Sequence, residues 1–196
     1  MHKVKTQLLY KGRTKIDFHY DDEDESVHYY TKHGSKAKLL GVTTVANSGK
    51  KDGLVYWAVN CACNHLLKLL NSGVQITAAH IEEARKRHEV ERDEAASIGK
   101  KVHKWCENHV KGVKQDMPTD PSVLNGVVAF LQWVEEHHVL INVSEQIVYS
   151  RRHGYVGTLD AEGFVDGKFR LIDFKTSKPS KTSKSGVYKE HRYQVA

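Results

Sequence analysis

Cysteine, proline and methionine are scarce in this chain, at 3, 3 and 2 of 196 residues. Cys61, Cys63 and Cys106 form an odd set without framework spacing, which argues against a disulfide scaffold. The same set falls short of the thiolates that a standard iron–sulfur cluster takes. Cys61 and Cys63 lie two apart in an apolar helical stretch, so they are expected on different faces, as small buried residues rather than ligands. No apolar run approaches the ~20 residues needed to cross a bilayer, so no membrane partner is expected. Met1-His2-Lys3-Val4-Lys5 has no signal-peptide core behind it, and the expected location is cytoplasmic. No P-loop motif is present.

What is there is an ordinary soluble composition with a basic excess. The length suits one domain, or a domain with a small appendage, with enough chain to bury a core without staples. The net charge of +6 steers toward a polyanionic partner, and is equally compatible with a basic protein that has none.

The pattern predicts short strands over 4–10 and 16–20 around Gly12-Arg13, then strand-like stretches at Val27–Thr31 and Leu39–Val45. The acidic run Asp21-Asp22-Glu23-Asp24-Glu25 reads as a solvated loop. Residues 53–71 read as a helix, with Leu54, Trp57, Ala58, Cys61, Leu66, Leu69 and Leu70 largely on one side and Gly73 as its stop. Thr77 is placed to cap a very polar, exposed helix running to about Arg92. A further helix is expected over 93–111, and another over 122–138 after a loop marked by Pro118 and Pro121. From Val139 the pattern turns to strands: Val139–Ser150, Gly157–Val165 and Lys168–Thr176, the last two joined by the hairpin signal Asp166-Gly167. Residues 177–186 read as a flexible loop, and Arg192–Ala196 as the first turns of a helix. The order is α+β: an N-terminal strand-rich extension over 1–50, then a core over 51–196.

Chemistry concentrates in Gly157-Thr158-Leu159-Asp160 and Leu171-Ile172-Asp173-Phe174-Lys175-Thr176. Asp173 and Lys175 are two apart on an expected strand and so share a face, while Ile172 and Phe174 turn to the other side. The hairpin can bring Asp160 beside Asp173. Two close carboxylates repel unless a cation or proton lies between them, and Mg²⁺ or Mn²⁺ suits that place. A lysine beside them can stabilise charge developing on a phosphate. The same residues fit an ordinary pair of strand carboxylates with Lys175 as an ion-pair partner equally well. Upstream, His103 and Glu107 are four apart on a helix and share a face, with Gly99 one turn earlier. Glycine inside a helix costs roughly 1 kcal/mol against alanine, so Gly99 suggests the close approach of another backbone.

The ordered set Gly99-x-x-x-His103-x-x-x-Glu107, Gly157-x-x-Asp160, Asp173-x-Lys175 and Tyr193-Gln194 resembles the PD-(D/E)XK nuclease superfamily, and within it the RecB-type branch that includes phage exonucleases. The resemblance covers about residues 40–196, and Leu40–Val45 with Leu54, Trp57 and Ala58 look like the start of stand-alone phage members. It implies a restriction-endonuclease-like core, a mixed central sheet flanked by helices, here with an N-terminal β-hairpin and helical additions. It implies a metal site of His103, Asp160, Asp173 and the Phe174 carbonyl, with Glu107 and Glu145 as acids near the ion. Lys175 matches the catalytic lysine, and Gln194 the glutamine of a Gln-x-x-x-Tyr motif that supports it. Two departures are visible. Asp173 stands where many relatives carry Glu, and the motif's tyrosine falls past Ala196, so that the closing helix is expected to be cut short.

The resemblance thus implies an Mg²⁺- or Mn²⁺-dependent DNase without an iron–sulfur cluster, with an exonuclease favoured, in DNA repair, recombination or phage DNA processing. Lys178, Lys181, Lys184, Arg151, Arg152 and Tyr193 are the expected DNA contacts. Single strands or duplex ends are the expected substrate, in a bacterial or phage-infected cell. A helicase or recombinase on another chain, and self-association, stay open. So do a structure-selective endonuclease, a nucleic-acid-binding module without catalysis, and a metal-binding regulatory protein.

Overall fold

The computed structural model describes residues 1–21, 28–46 and 53–177. The expected loop after Ser177, Lys178, Lys181, Lys184, Tyr193 and Gln194 lie outside them, as does the acidic run beyond Asp21. In chain order the elements are β1 (His2–Leu9), β2 (Thr14–Asp21), β3 (His28–Lys32), β4 (Leu40–Gly41), α1 (Val42–Ala46), α2 (Gly53–Asn71), α3 (Ala78–Val110), α4 (Pro121–Glu136), β5 (Leu140–Tyr149), β6 (Tyr155–Val165) and β7 (Lys168–Ile172). The α+β class expected from the sequence is observed.

Two sheets form. The first is the antiparallel meander β1-β2-β3. The second is mixed, with β6 at its centre: β5 runs antiparallel along one edge, while β4 (parallel) and β7 (antiparallel) share the other. On that shared edge β4 pairs with Tyr155 and Val156, and β7 pairs from Ala161 to Val165. Gly157–Asp160 lies in the gap between them. The inner face of the first sheet packs on the second through Ile16, Tyr30, Ile147, Tyr149 and Val156. Gln7 ties the sheets further, because its amide both donates to the Ile147 carbonyl and accepts from the Ile147 N–H.

A second core joins α3 and α4 through Val102, Cys106, Val123, Val127 and Phe130, with Phe174 packed against it. A Cβ on Gly126 would come within 2.8 Å of the Val102 side chain, so this glycine sets how closely the two helices cross. Asp120 caps α4 by accepting from the Ser122 N–H, with Pro121 at the first helical position. At the start of α3 the Thr77 N–H donates to His80 Nδ1, so a histidine fills the role that Glu or Gln takes in a capping box.

Four local readings change. Leu39–Val45 makes two strand residues and then helix α1, despite its β-branched run; Val42 lies against Gly157, where a Cβ would meet its side chain at 3.1 Å. Packing decides this segment over strand propensity. The polar stretch after Thr77 and the stretch from Asp93 are one helix, α3, because polarity alone does not end a helix and Gly99 inside it does not break it. On α2 only Cys61 is buried, and Leu54 and Leu70 remain exposed, since this helix lies along α3 rather than in a core. β7 stops at Ile172 rather than Thr176. The Phe174 N–H donates to the Asp160 carboxylate at 2.7 Å, which takes the chain out of the ladder. Asp166 and Gly167 both have positive φ, 49° and 72°, as the expected two-residue hairpin turn requires.

Candidate metal centre

The imidazole of His103 stands half-buried on α3, the helix that Val102 and Cys106 anchor in the core with α4. The Phe174 ring meets it edge-on, with centroids 5.8 Å apart, and Phe174 is itself edge-on to Phe130 at 5.5 Å. The ring is thus held by packing before any ligand is considered. Its Nε2 lies 3.1 Å from Asp160 Oδ2 and its Nδ1 lies 3.6 Å from Glu145 Oε1. Asp160 comes from the gap on the β6 edge. Glu145 comes from β5, between the register pairs Ser144–Ala161 and Gln146–Leu159, which sets it opposite Asp160. Glu145 holds a left-handed backbone, φ 54°, a conformation that side chains seldom adopt and that recurs at functional sites.

His103, Glu145 and Asp160 each offer a ligand atom, all within 4.8 Å of one another. Like charges set opposite each other across two strands destabilise a sheet unless something positive joins them. The titration behaviour reflects that demand. Burial holds the Glu145 carboxyl above its ordinary value, with the Asp160 and Glu107 charges adding and His103 opposing. Burial pushes Asp160 up as well, but the hydrogen bonds from His103 and the Phe174 N–H outweigh it and leave the carboxyl below its usual value. The Asp160 hydrogen bond raises His103, against burial, and the surrounding acids reinforce it. Without an ion, a proton on the imidazole offsets one of the two carboxylate charges and leaves the other for a further cation or proton to balance. A divalent cation fits the same donors, since imidazole and carboxylate oxygens suit Mn²⁺ or Zn²⁺ well and Mg²⁺ less well.

The other sequence-expected residues fall around this triad in different ways. Asp173 and Lys175 line the same cavity, about 1060 Å³, as His103, Glu145 and Asp160. The Asp173 carboxylate is not one of the clustered ligands; Lys175 Nζ donates to its Oδ1 at 2.6 Å. Phe174 joins the site through its N–H on Asp160 and its ring on His103. Glu107 is gripped by Lys104 at 3.0 Å and by Lys111; burial raises its carboxyl, and those two ammonium groups bring it below the usual value. It acts on the triad through its charge rather than by contact. A Cβ on Gly99 would meet Thr176 Oγ1 at 3.0 Å, so what approaches there is a side chain of the segment that follows β7 rather than the expected backbone. Arg151 and Arg152 lie exposed in the turn between β5 and β6, away from the triad.

Glu145 therefore moves from the periphery to the triad, and Asp173 from the triad to a neighbouring ion pair. The sequence signal for Glu145 is weak, because its standing depends on the β5–β6 register and on its left-handed backbone. No protein-family model matches the chain, and no curated protein matches it.

Proposed function

We propose that this chain is a divalent-metal-dependent DNA nuclease with a restriction-endonuclease-like core, acting by preference on DNA ends or single strands. The observation that carries the reading is the convergence of His103, Glu145 and Asp160 from three elements, beside Lys175, in one cavity. His103, Glu145 and Asp160 would hold the ion, with Asp173 close by. A bound divalent cation supplies Lewis acidity toward a phosphoryl oxygen and acidifies water. Phe174 orients His103 through its ring and Asp160 through its N–H, so both donors are preorganised. Lys175 lines the same cavity and is a cation for a phosphate to engage, and reaching it requires exchanging the Asp173 partner. The nitrogen donor favours Mn²⁺ over Mg²⁺.

The Lys175–Asp173 pair also favours a second reading, a metal-dependent nucleic-acid-binding module without cleavage, since it leaves the lysine engaged. End-labelled single-stranded, duplex and closed-circular DNA incubated with Mg²⁺, Mn²⁺ or EDTA separates the two. The nuclease reading expects metal-dependent loss of linear DNA, faster in Mn²⁺, with Lys175→Ala lowering the rate by about 100-fold or more. Survival of the circle would mark an exonuclease. Binding without cleavage in either metal would transfer the assignment to the module.

A further inference from the structure

A second concavity, of about 530 Å³, opens at the end of the N-terminal sheet, lined by Arg13, Lys15, Lys32, His33, Tyr149 and Arg151. These cations come from separate places: the β1–β2 turn, the start of β2, the end of β3, and the β5–β6 turn. Asp17, the nearby acid, is already occupied by Thr6 at 2.7 Å and His33 at 3.1 Å. Among the described residues Arg13, Lys15, Lys32 and Arg151 make no ion pair. Two of them rest on aromatic faces instead: Lys32 lies 5.6 Å from the Tyr149 ring centroid and Arg151 lies 5.4 Å from that of Tyr10.

The rim is stiff. Tyr10 and Lys11 both sit in the left-handed region, at φ 53° and 57°, ahead of Gly12 at 81°. The Tyr10 hydroxyl donates to the Tyr149 carbonyl and so fastens the β1–β2 turn to the end of β5. The facing turn is closed by the Gly154 N–H on the Ser150 carbonyl at 2.8 Å. Two consecutive non-glycine residues in a disfavoured conformation persist only where the surroundings enforce them, and the Tyr10 hydroxyl bond to Tyr149 is one such constraint.

We propose that this cleft binds the sugar–phosphate backbone of a nucleic-acid strand. Spread, unpaired cations in an open groove suit successive phosphates of a chain, whereas a lone phosphate calls for an enclosed nest of N–H donors. Tyr10, 46% exposed, offers an aromatic face at the rim for a base to stack on. Tyr149 lines both this cleft and the cavity that holds the triad, so the two are neighbours on either side of one residue. Tyr149 lies four residues beyond Glu145 on β5, about 13 Å along a strand, within reach of a bound chain of a few nucleotides. The choice of nucleic acid as the ligand rests on the nuclease reading; the anion-binding cleft does not.

The test is fluorescence anisotropy with a labelled single-stranded oligonucleotide in EDTA, over about 50 to about 200 mM salt. It compares the wild type with an Arg13→Ala, Lys15→Ala, Arg151→Ala triple variant. Three lost phosphate contacts are expected to weaken binding at least about 10-fold and to flatten the log–log salt slope by about 2. A second triple variant, Arg13→Lys, Lys15→Arg, Arg151→Lys, keeps the charge and is expected to keep the slope, which separates charge from misfolding. Lys86→Ala, on the exposed face of α3, is the control for bulk charge. An alanine variant that is folded and binds with the wild-type slope overturns the proposal. Binding of inorganic polyphosphate but not of the oligonucleotide overturns the choice of nucleic acid. Hydrolysis of bis(p-nitrophenyl) phosphate with Mn²⁺, run in parallel, reads the metal centre alone. Loss of slope without hydrolysis keeps the cleft and removes the nuclease reading; hydrolysis with an unchanged slope does the reverse.

Discussion

Cys106 is 1% exposed in the α3–α4 core, and burial pushes its thiol up to about 12, so at neutral pH it is a protonated apolar side chain. Cys61 is also buried, and Cys63 is exposed. A thiol-specific chromogenic reagent is therefore expected to modify one cysteine rapidly in the folded protein, Cys63, and all three only on unfolding. Rapid modification of a Cys63→Ser variant would contradict the assignment. Asp17 gives a pH prediction. The Thr6 hydroxyl, then His33, hold its carboxyl below the usual value against burial. A depressed folded-state value adds stability that is present above the unfolded value, about 3.9, and is lost as pH falls through the folded one. The wild type is expected to lose stability relative to Asp17→Asn as pH drops below about 4, measured by urea denaturation across that range. At this scale the strand and hairpin pattern set Asp160 beside Asp173, while His103 was singled out by the resemblance to a nuclease superfamily and not by periodicity. The resemblance ranked Asp173 above Glu145, because a motif match shows which positions correspond and not which carboxylate a neighbouring lysine has taken.

The β5–β6–β7 meander carries two of the three triad ligands or their contacts, and its geometry depends on Gly163. A Cβ there would meet the Leu140 carbonyl oxygen at 2.1 Å and the Ile141 Cα at 2.8 Å, both backbone atoms, beside the register shift between Ile141 and Val143. Gly163→Ala is expected to cost about 3 kcal/mol by overpacking a place that cannot yield, read as a lower denaturation midpoint. An unchanged midpoint would mean the bulge relaxes freely. Several elements were legible locally. Helix α2 spans the residues its periodicity indicates, Asp166-Gly167 turns as its φ values demand, and Thr77 starts α3. Those signals sit within a few residues of one another. The exchange of a strand for α1 at Val42, and the early end of β7, were not legible. Both depend on partners far away in the chain, Gly157 and Asp160.

The two sheets share a core that runs from Ile16 to Val156, while the triad closes α3 against β5 and β6. Among the described residues no helix is long and apolar enough to cross a membrane. A ligand that binds only the folded triad stabilises the whole by mass action, by about 2.7 kcal/mol at a hundredfold excess over its dissociation constant. Mn²⁺ is expected to raise the melting temperature of the wild type by several degrees, roughly 5–10 °C at that excess. Asp160→Asn and Glu145→Gln are expected to abolish most of the shift. An equal shift in the variants would place the ion elsewhere. This readout does not involve catalysis, so it tests the centre even if no substrate is cleaved.

The sequence by itself determined the α+β order of elements, the basic excess, the helix that carries His103 and the hairpin that follows Asp160. Each follows from periodicity or turn chemistry over a few residues. Tertiary structure decided which carboxylates meet. Glu145 stands opposite Asp160 through the β5–β6 register, while past the end of β7 the Phe174 N–H goes to Asp160 and Asp173 pairs with Lys175. It also gathered Arg13 and Lys15, Lys32, and Arg151, from three separate stretches of the chain, around one cleft. Like charges assemble in this way only when packing, rather than their own attraction, fixes the backbone that carries them.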